Sequence, residues 1–275
     1  MLADLQILVI NALVLVALFL VLWRVAIAIK DVSFIDAVWA LGMVVMAATT
    51  FLQVGQPTPR RMLLLGMCLL WGLRLGGYLL WRWRSHGPDR RYQTLLGKAE
   101  TYKGWSFAKA SLLLVFATQA PMLFAVCLPV QLGQLEAAPA QLGPLAWAGA
   151  GICLFGIVFE SLGDLQLTRF RADPASRGKV LDTGLWRYTR HPNYFGDACA
   201  WWGLYLIAAE TRVGLLALPA PILLTWTLMK WSGVPTVEGR LRKSRPGYAR
   251  YVETTSGFVP WPPRPARPDA EAMAE

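Results

Sequence analysis

The sequence has few charged residues for its length, and this scarcity argues against an ordinary soluble fold. Only 16% of the 275 residues are charged, whereas 55% are hydrophobic. Soluble globular domains usually carry about 25% charged residues. The apolar excess therefore places this chain in a membrane.

Residues that hold metals or form disulfides are also scarce. The two histidines, His86 and His191, lie far apart in the sequence, and the four cysteines lie in apolar runs without Cys-x-x-Cys spacing. A structural metal site needs several such ligands close together, and a disulfide framework shows cysteines at characteristic spacings in a short secreted chain. We therefore expect neither a metal site nor disulfide bonds.

Long apolar runs dominate the remaining sequence. A helix needs about 20 predominantly apolar residues to cross the hydrocarbon core of a bilayer. The first run lacks the basic start of a signal peptide, so we interpret it as a helix that stays in the protein. We predict an all-α, multi-pass membrane protein with about seven transmembrane helices. The predicted segments are 5–29, 34–53, 62–81, 110–130, 144–166, 195–209 and 213–230.

Basic residues are unevenly distributed among the connecting segments. They concentrate in 82–109, in 169–190 and after the last apolar run, whereas the 131–143 loop contains neither Lys nor Arg. Because Lys and Arg accumulate in cytoplasmic loops, we expect the basic segments and the C-terminus to face the cytoplasm. We predict a single transmembrane domain, 1–262, followed by a polar, proline-rich tail, 263–275, that is disordered.

The third predicted helix carries a polar stripe. Arg74, Tyr78 and Arg82 follow one another at intervals of four residues, so they share one helix face. Gly72 and Gly76 form a pair of small residues at the same spacing, which permits close approach of another helix. We expect that approach to shelter the polar stripe from lipid.

Carboxylates also lie within predicted helices, where an ionisable group costs about 2.5–3.5 kcal/mol on insertion scales. Asp36 lies near the start of the second helix, and Glu160 and Asp164 share a face of the fifth, with Arg171 two turns after Asp164. Such residues face the protein interior or a wet cavity, where they serve as functional groups or as internal ion pairs. The sequence alone leaves both alternatives open.

Two basic and aromatic stretches complete the pattern. The first, "GLWRYTRHPNYFGDACAWWG" (184–203), contains turn signals before a helix, and the second is "VEGRLRKSRPGYARYVETTSGFVPW" (237–261). Arg forks and Lys ammoniums suit phosphate oxygens, and aromatic faces suit a flat ring. We therefore interpret these stretches as a binding region for a nucleotide-bearing ligand.

These motifs resemble the membrane steroid 5α-reductase family, particularly its bacterial members. The resemblance is strong over 150–262 and looser in the N-terminal half, where "SFIDAVWALG" and "WGLRLGGYLLWRWR" carry it. It implies a seven-helix enzyme of a bacterial inner membrane that binds NADPH from the cytoplasmic side. Its partners would be membrane lipid and a lipophilic, steroid-like substrate entering from the bilayer, with no nucleic acid.

The resemblance implies NADPH-dependent reduction of the C=C bond of an enone such as a 3-oxo-4-ene steroid. Hydride would reach the β-carbon while Tyr78 and Asp36 hold the ketone oxygen, Asp36 replacing a longer glutamate. The residues implied to bind the cofactor are Glu160, Asp164, Arg171, Lys179, Tyr188, His191, Asn193, Asp197, Arg242 and Tyr248. Among these, Lys179 replaces an arginine, Asp197 replaces a glutamate and Glu160 replaces an amide-type residue.

Two other functions are open at this stage. "RHPNYFG" also matches membrane methyltransferases of the isoprenylcysteine carboxyl and phospholipid types, which use S-adenosylmethionine. A non-enzymatic lipid transporter is the other alternative, although the chain shows no internal repeat of the kind that many transporters have. Asp36, Tyr78 and the basic groups suited to a 2′-phosphate favour the reductase.

Overall fold

The fold was obtained as a computed structural model, which describes residues 2–231 and 233–265. These described residues form helices and connecting segments and contain no strand. Residues 266–275 of the predicted tail lie outside them. The helices are α1 Leu2–Ile29, α2 Ile35–Val54, α3 Pro59–His86, α4 Arg90–Lys103, α5 Phe107–Ser111, α6 Ala117–Val126, α7 Leu128–Leu132, α8 Pro144–Ala172, α9 Pro192–Ala208, α10 Arg212–Leu215, α11 Pro219–Trp226, α12 Val234–Ser244 and α13 Tyr248–Thr254.

The apolar segments of the sequence coincide with these helices. Within the described residues, six helical segments are long and apolar enough to cross a membrane. The predicted segment 195–209 falls on α9, which has 17 residues and is shorter than those six. The prediction of an all-α multi-pass membrane protein is confirmed. The six segments are Leu2–Ile29, Ile35–Val54, Pro59–His86, Phe107–Val126, Pro144–Ala172 and Arg212–Ser244.

The chain divides into two compact units. Unit 1 comprises Met1–Ala150 and Leu204–Ala220, and unit 2 comprises Gly151–Gly203 and Pro221–Glu275. Unit 1 therefore contains Asp36 and the polar stripe of α3. Unit 2 contains the residues that the resemblance assigns to the cofactor.

Close backbone approach joins α2 to α3 in unit 1. A Cβ atom added at Gly72 would clash with Val44 and lie 2.9 Å from the carbonyl oxygen of Ala40. One added at Gly76 would lie 2.7 Å from Cγ of Leu41. The predicted close approach of a helix at these two glycines is confirmed, and that helix is α2.

A buried polar cluster links α1 to α2 and α7 in the same unit. Asn11 Nδ2 donates hydrogen bonds to Thr50 Oγ1 at 2.7 Å and to Gln131 Oε1 at 2.9 Å. Gln53 Nε2 donates to Asn11 Oδ1 at 2.9 Å. Asn11 is fully buried, and hydrocarbon offers no hydrogen-bond partner. The cluster therefore determines which face of α1 turns inward.

Glycines also bring α8 and α9 together in unit 2. A Cβ at Gly156 would lie 2.5 Å from the carbonyl oxygen of Gly196 and the amide nitrogen of Ala200. A Cβ at Gly196 would lie 2.6 Å from the amide nitrogen of Glu160. The contact places the start of α9 beside the polar face of α8.

We expect Gly72→Ala to lower the free energy of unfolding by about 1–3 kcal/mol, the usual cost of overpacking a tight contact. The added methyl group meets the α2 backbone, which cannot move aside as a flexible side chain can. Thermal unfolding in detergent measures the loss.

Gly77→Ala is the matched control for this substitution. Gly77 lies on the same helix, and an added Cβ there meets nothing within 4 Å. Since alanine favours helix over glycine by about 1 kcal/mol, this variant should be as stable as the parent or more so. Equal destabilisation by the two substitutions would contradict the packing argument.

Candidate functional site

Asp36 lies in the first turn of α2, where donors from α3 and α4 surround its carboxylate. Arg91 Nη2 donates to Oδ2 at 2.6 Å, and the Tyr92 hydroxyl donates to Oδ1 at 2.7 Å. Arg82 Nη2 lies 3.6 Å from Oδ2. These donors hold the carboxylate in one orientation. The side chain of Asp36 is 23% exposed, so the carboxylate lies near the surface of the unit.

The polar stripe of α3 forms as the helical spacing predicts. The guanidinium carbons of Arg74 and Arg82 each lie 6.0 Å from the ring centroid of Tyr78, and Trp81 stacks on the same ring. Arg82 therefore contacts both residues of the predicted catalytic pair. The hydroxyl that donates to Asp36, however, belongs to Tyr92 and not to Tyr78.

A second set of hydrogen bonds fastens the start of α4. Asp31 accepts from the Trp83 indole and from the Ser33 hydroxyl, each at 2.7 Å. The backbone N–H of Asp89 donates to Ser33 Oγ at 2.7 Å, and Asp89 in turn caps α4 by accepting from the backbone N–H of Arg91 at 2.8 Å. These bonds set the position of Arg91 and of the tyrosine that follows it.

The protonation states in this region follow from burial and charge. Burial raises the pKa of Tyr92, and the Asp36 carboxylate raises that pKa further. Burial alone would lower the pKa of Arg91. The charges of Asp36 and Asp89 more than offset this effect, so the pKa of Arg91 is raised. Burial would raise the pKa of Asp89, yet its hydrogen bonds to Arg91 bring that pKa below its usual value. Tyr92 therefore stays a neutral donor, and Arg91 stays a cation.

Arg91 and Tyr92 are absent from the set of site residues that the resemblance implies. They lie in the predicted basic loop 82–109, in the stretch "HGPDRRY". An Asp after Gly-Pro is a typical helix N-cap signal, so the start of α4 can be recognised from the sequence. The contact with Asp36, 55 residues earlier, has no local signal.

Unit 2 brings together some of the predicted cofactor residues. Asn193, in the first turn of α9, donates from Nδ2 to Asp164 Oδ1 at 3.4 Å. Asp164 and Glu160 are buried one turn apart on α8, and Asp197 is half-buried one turn after Asn193. The predicted polar face of α8 thus meets the start of α9.

The predicted cationic residues lie at the surface of unit 2. Arg171 lies in the last turn of α8, and Lys179 lies in the segment that follows; both are exposed. Arg242 lies on α12 with 56% of its side chain exposed, and Tyr188 is also exposed. These groups are accessible to an anionic ligand.

His191 and Tyr248, by contrast, are buried around the carboxylate of Glu238. His191 Nε2 lies 3.1 Å from Glu238 Oε1, and the imidazole stacks on the Tyr194 ring at a centroid separation of 5.3 Å. Burial, together with the Glu238 charge, raises the pKa of Tyr248 to about 12. Both residues therefore lie near the Glu238 carboxylate, and His191 links the "RHPN" turn to it.

Arg190, which is absent from the implied site set, connects this turn to the C-terminal segment. Its Nε donates to Glu238 Oε1 at 2.8 Å, and its Nη1 donates to the carbonyl oxygens of Val252 at 3.0 Å and Thr255 at 2.6 Å. Its backbone N–H donates to the carbonyl of Ser256 at 2.9 Å. Arg190 and Glu238 therefore hold the turn, α12 and the end of α13 together.

We expect Glu238→Gln to lower the free energy of unfolding by about 3 kcal/mol, because it leaves the largely buried Arg190 guanidinium without its counter-charge. Thermal unfolding in detergent measures this change. Glu253→Gln is the matched control, since Glu253 is an exposed carboxylate on α13. A loss of the same size in the control would show that the ion pair is not the cause.

Comparison with known proteins gives a family but no named activity. An uncharacterized protein of Schizosaccharomyces pombe is 23% identical over 270 residues, which cover 87% of this chain and 76% of the yeast protein. No solved structure matches the chain. Residues 22–255 match DUF1295, whose description is a protein of unknown function. The chain therefore belongs to the DUF1295 family.

Proposed function

We propose that this protein reduces the C=C bond of a lipophilic enone with NADPH. One observation carries the proposal: the guanidinium of Arg82 contacts both the Tyr78 ring and the Asp36 carboxylate. A phenol beside two cations is a suitable donor for a ketone oxygen that gains negative charge. The resemblance of the sequence motifs to the steroid 5α-reductase family supports the same chemistry.

Tyr78 would hold and polarise the ketone oxygen. Its phenol hydroxyl can donate a hydrogen bond to that oxygen. Hydride transfer to the β-carbon would move the π electrons toward the oxygen, and the resulting enolate would take a proton from water at the α-carbon. Arg74 and Arg82 flank the Tyr78 ring, so their charges favour the enolate over the neutral ketone.

Asp36 would act through Arg82 in this proposal. Its carboxylate already accepts hydrogen bonds from Arg91 and Tyr92, so its remaining role is to orient the Arg82 guanidinium beside Tyr78. This arrangement suits an aspartate, which is one methylene shorter than the glutamate of the steroid 5α-reductase family that the sequence resembles. Asp36 is thus a positioning residue here.

The donor set of unit 2 suits a nicotinamide dinucleotide phosphate. Arg171, Lys179 and Arg242 are exposed cations that fit phosphate oxygens, and the Asp164–Asn193 pair offers groups for ribose hydroxyls or amides. When bound, NADPH supplies the hydride. His191 and Tyr248 would serve this site indirectly, by supporting the turn that precedes Asn193.

We expect Tyr78→Phe to lower kcat for enone reduction by about 10²–10³-fold, because the variant lacks the donor to the developing oxyanion. The assay follows NADPH oxidation by the protein in detergent with a 3-oxo-4-ene steroid and several other enones. Tyr102→Phe is the matched control, since Tyr102 is 81% exposed on α4.

The same assay separates the proposed reductase from the alternatives. NADPH oxidation should require the enone, and S-adenosylmethionine should not support turnover. A parent protein that oxidises no NADPH with any enone, or an unchanged rate in Tyr78→Phe, would refute the mechanism. Methyl transfer from S-adenosylmethionine would instead establish the methyltransferase.

The cofactor residues are tested separately. We expect Arg171→Ala and Lys179→Ala each to raise KM for NADPH by about tenfold with little change in kcat, because each removes a charge-assisted contact to phosphate. Lys98→Ala is the control, since Lys98 is an exposed lysine in unit 1. If neither substitution changed KM for NADPH, these cations would serve only to orient the protein in the membrane.

A further inference from the structure

A polar cavity of about 350 Å³ lies in unit 2, at the segment that follows α13. Its volume falls at the lower end of the range for small-molecule sites. None of its lining residues belongs to the set that the resemblance assigns to the cofactor. The lining comprises Arg190, Val252, Glu253, Thr254, Thr255, Ser256, Gly257, Val259, Trp261, Pro262 and Arg264.

One donor group of Arg190 is directed toward this cavity. Nε and Nη1 of the guanidinium donate to Glu238 and to two carbonyl oxygens, but Nη2 donates to no acceptor within residues 2–231 and 233–265. A Cβ added at Gly257, which lines the cavity, would lie 3.2 Å from this Nη2. A glycine at this position therefore leaves the donor uncovered.

A second cation and a hydroxyl group line the same cavity. The backbone N–H of Arg264 donates to the carbonyl of Thr254 at 2.8 Å. This hydrogen bond holds the backbone of Arg264 at the cavity, and the side chain of Arg264 is exposed. Ser256 adds a hydroxyl group. Glu253 contributes an opposing carboxylate, but it is exposed, so water screens its charge.

Exposed apolar side chains also line the cavity. Trp261 is 65% exposed and Val259 is 58% exposed. Tryptophan and aliphatic residues beside cationic donors fit a ligand that joins an anionic group to an apolar or aromatic part. An inorganic anion alone would make no use of them.

We infer that this cavity binds a phosphate group through Arg190 Nη2, the Arg264 guanidinium and the Ser256 hydroxyl. Planar guanidinium donors match phosphate oxygens in geometry and charge. The phosphate can belong to a soluble phosphate compound or to the headgroup of a phospholipid. The lining of the site shares no residue with the proposed NADPH residues.

The test uses the full chain and two probes. Isothermal titration calorimetry measures inorganic phosphate binding to protein in phosphatidylcholine nanodiscs, and native mass spectrometry in detergent measures bound phosphatidic acid. Arg264→Ala removes one cation, and Gly257→Ala covers Arg190 Nη2 without removing its charge. The matched controls are Arg240→Ala, an exposed arginine on α12, and Gly239→Ala, where an added Cβ meets nothing within 4 Å.

We expect at least one probe to bind, and both cavity variants to weaken that binding about tenfold while the controls do not, with thermal unfolding unchanged in all four. Binding of inorganic phosphate but not of phosphatidic acid identifies a soluble ligand, and binding of phosphatidic acid alone identifies a lipid headgroup. Absence of binding by both probes would overturn the inference, as would equal weakening by the controls. Loss of binding in Lys179→Ala but not in Arg264→Ala would also overturn it, by assigning the phosphate to the proposed NADPH residues.

Discussion

Hydrocarbon offers no hydrogen-bond partner, so every polar side chain that this chain places among apolar helices has to find its partner inside the protein. Asn11 meets this constraint through amide and hydroxyl groups of α2 and α7. Asp36 meets it through Arg91 and Tyr92. The helices that supply these partners are thereby held in one arrangement, and the same bonds that satisfy the polar groups give each unit its structure.

Each unit is organised around a carboxylate that gathers donors from separate elements. In unit 1, Asp36 holds donors from α3 and α4. In unit 2, Glu238 of α12 holds Arg190, and Arg190 in turn holds the C-terminal segment through backbone carbonyls. These carboxylates orient the adjoining groups: Arg82 beside Tyr78 in unit 1 and the guanidinium of Arg190 in unit 2.

Much of the fold could be predicted from local pattern. Apolar runs locate the spanning helices because the bilayer sets their length, and four-residue intervals place Arg74, Tyr78 and Arg82 on one face because the α-helix repeats every 3.6 residues. Gly72 and Gly76 likewise indicate a close helix contact. The pattern does not identify Tyr92 as the donor to Asp36, since α4 lies outside the apolar runs and its contact bridges 56 residues of sequence.

The sequence by itself determined the class of protein, the positions of its apolar helices and the faces that carry polar groups, because these depend on composition and on the helical repeat. Only the tertiary structure decided which donor meets which carboxylate. It assigned Tyr92 to Asp36, and Arg190 with His191 to Glu238. These choices depend on distances between elements far apart in the chain. Contacts such as those at Gly72 and Gly156 set those distances, where backbones approach too closely for any side chain.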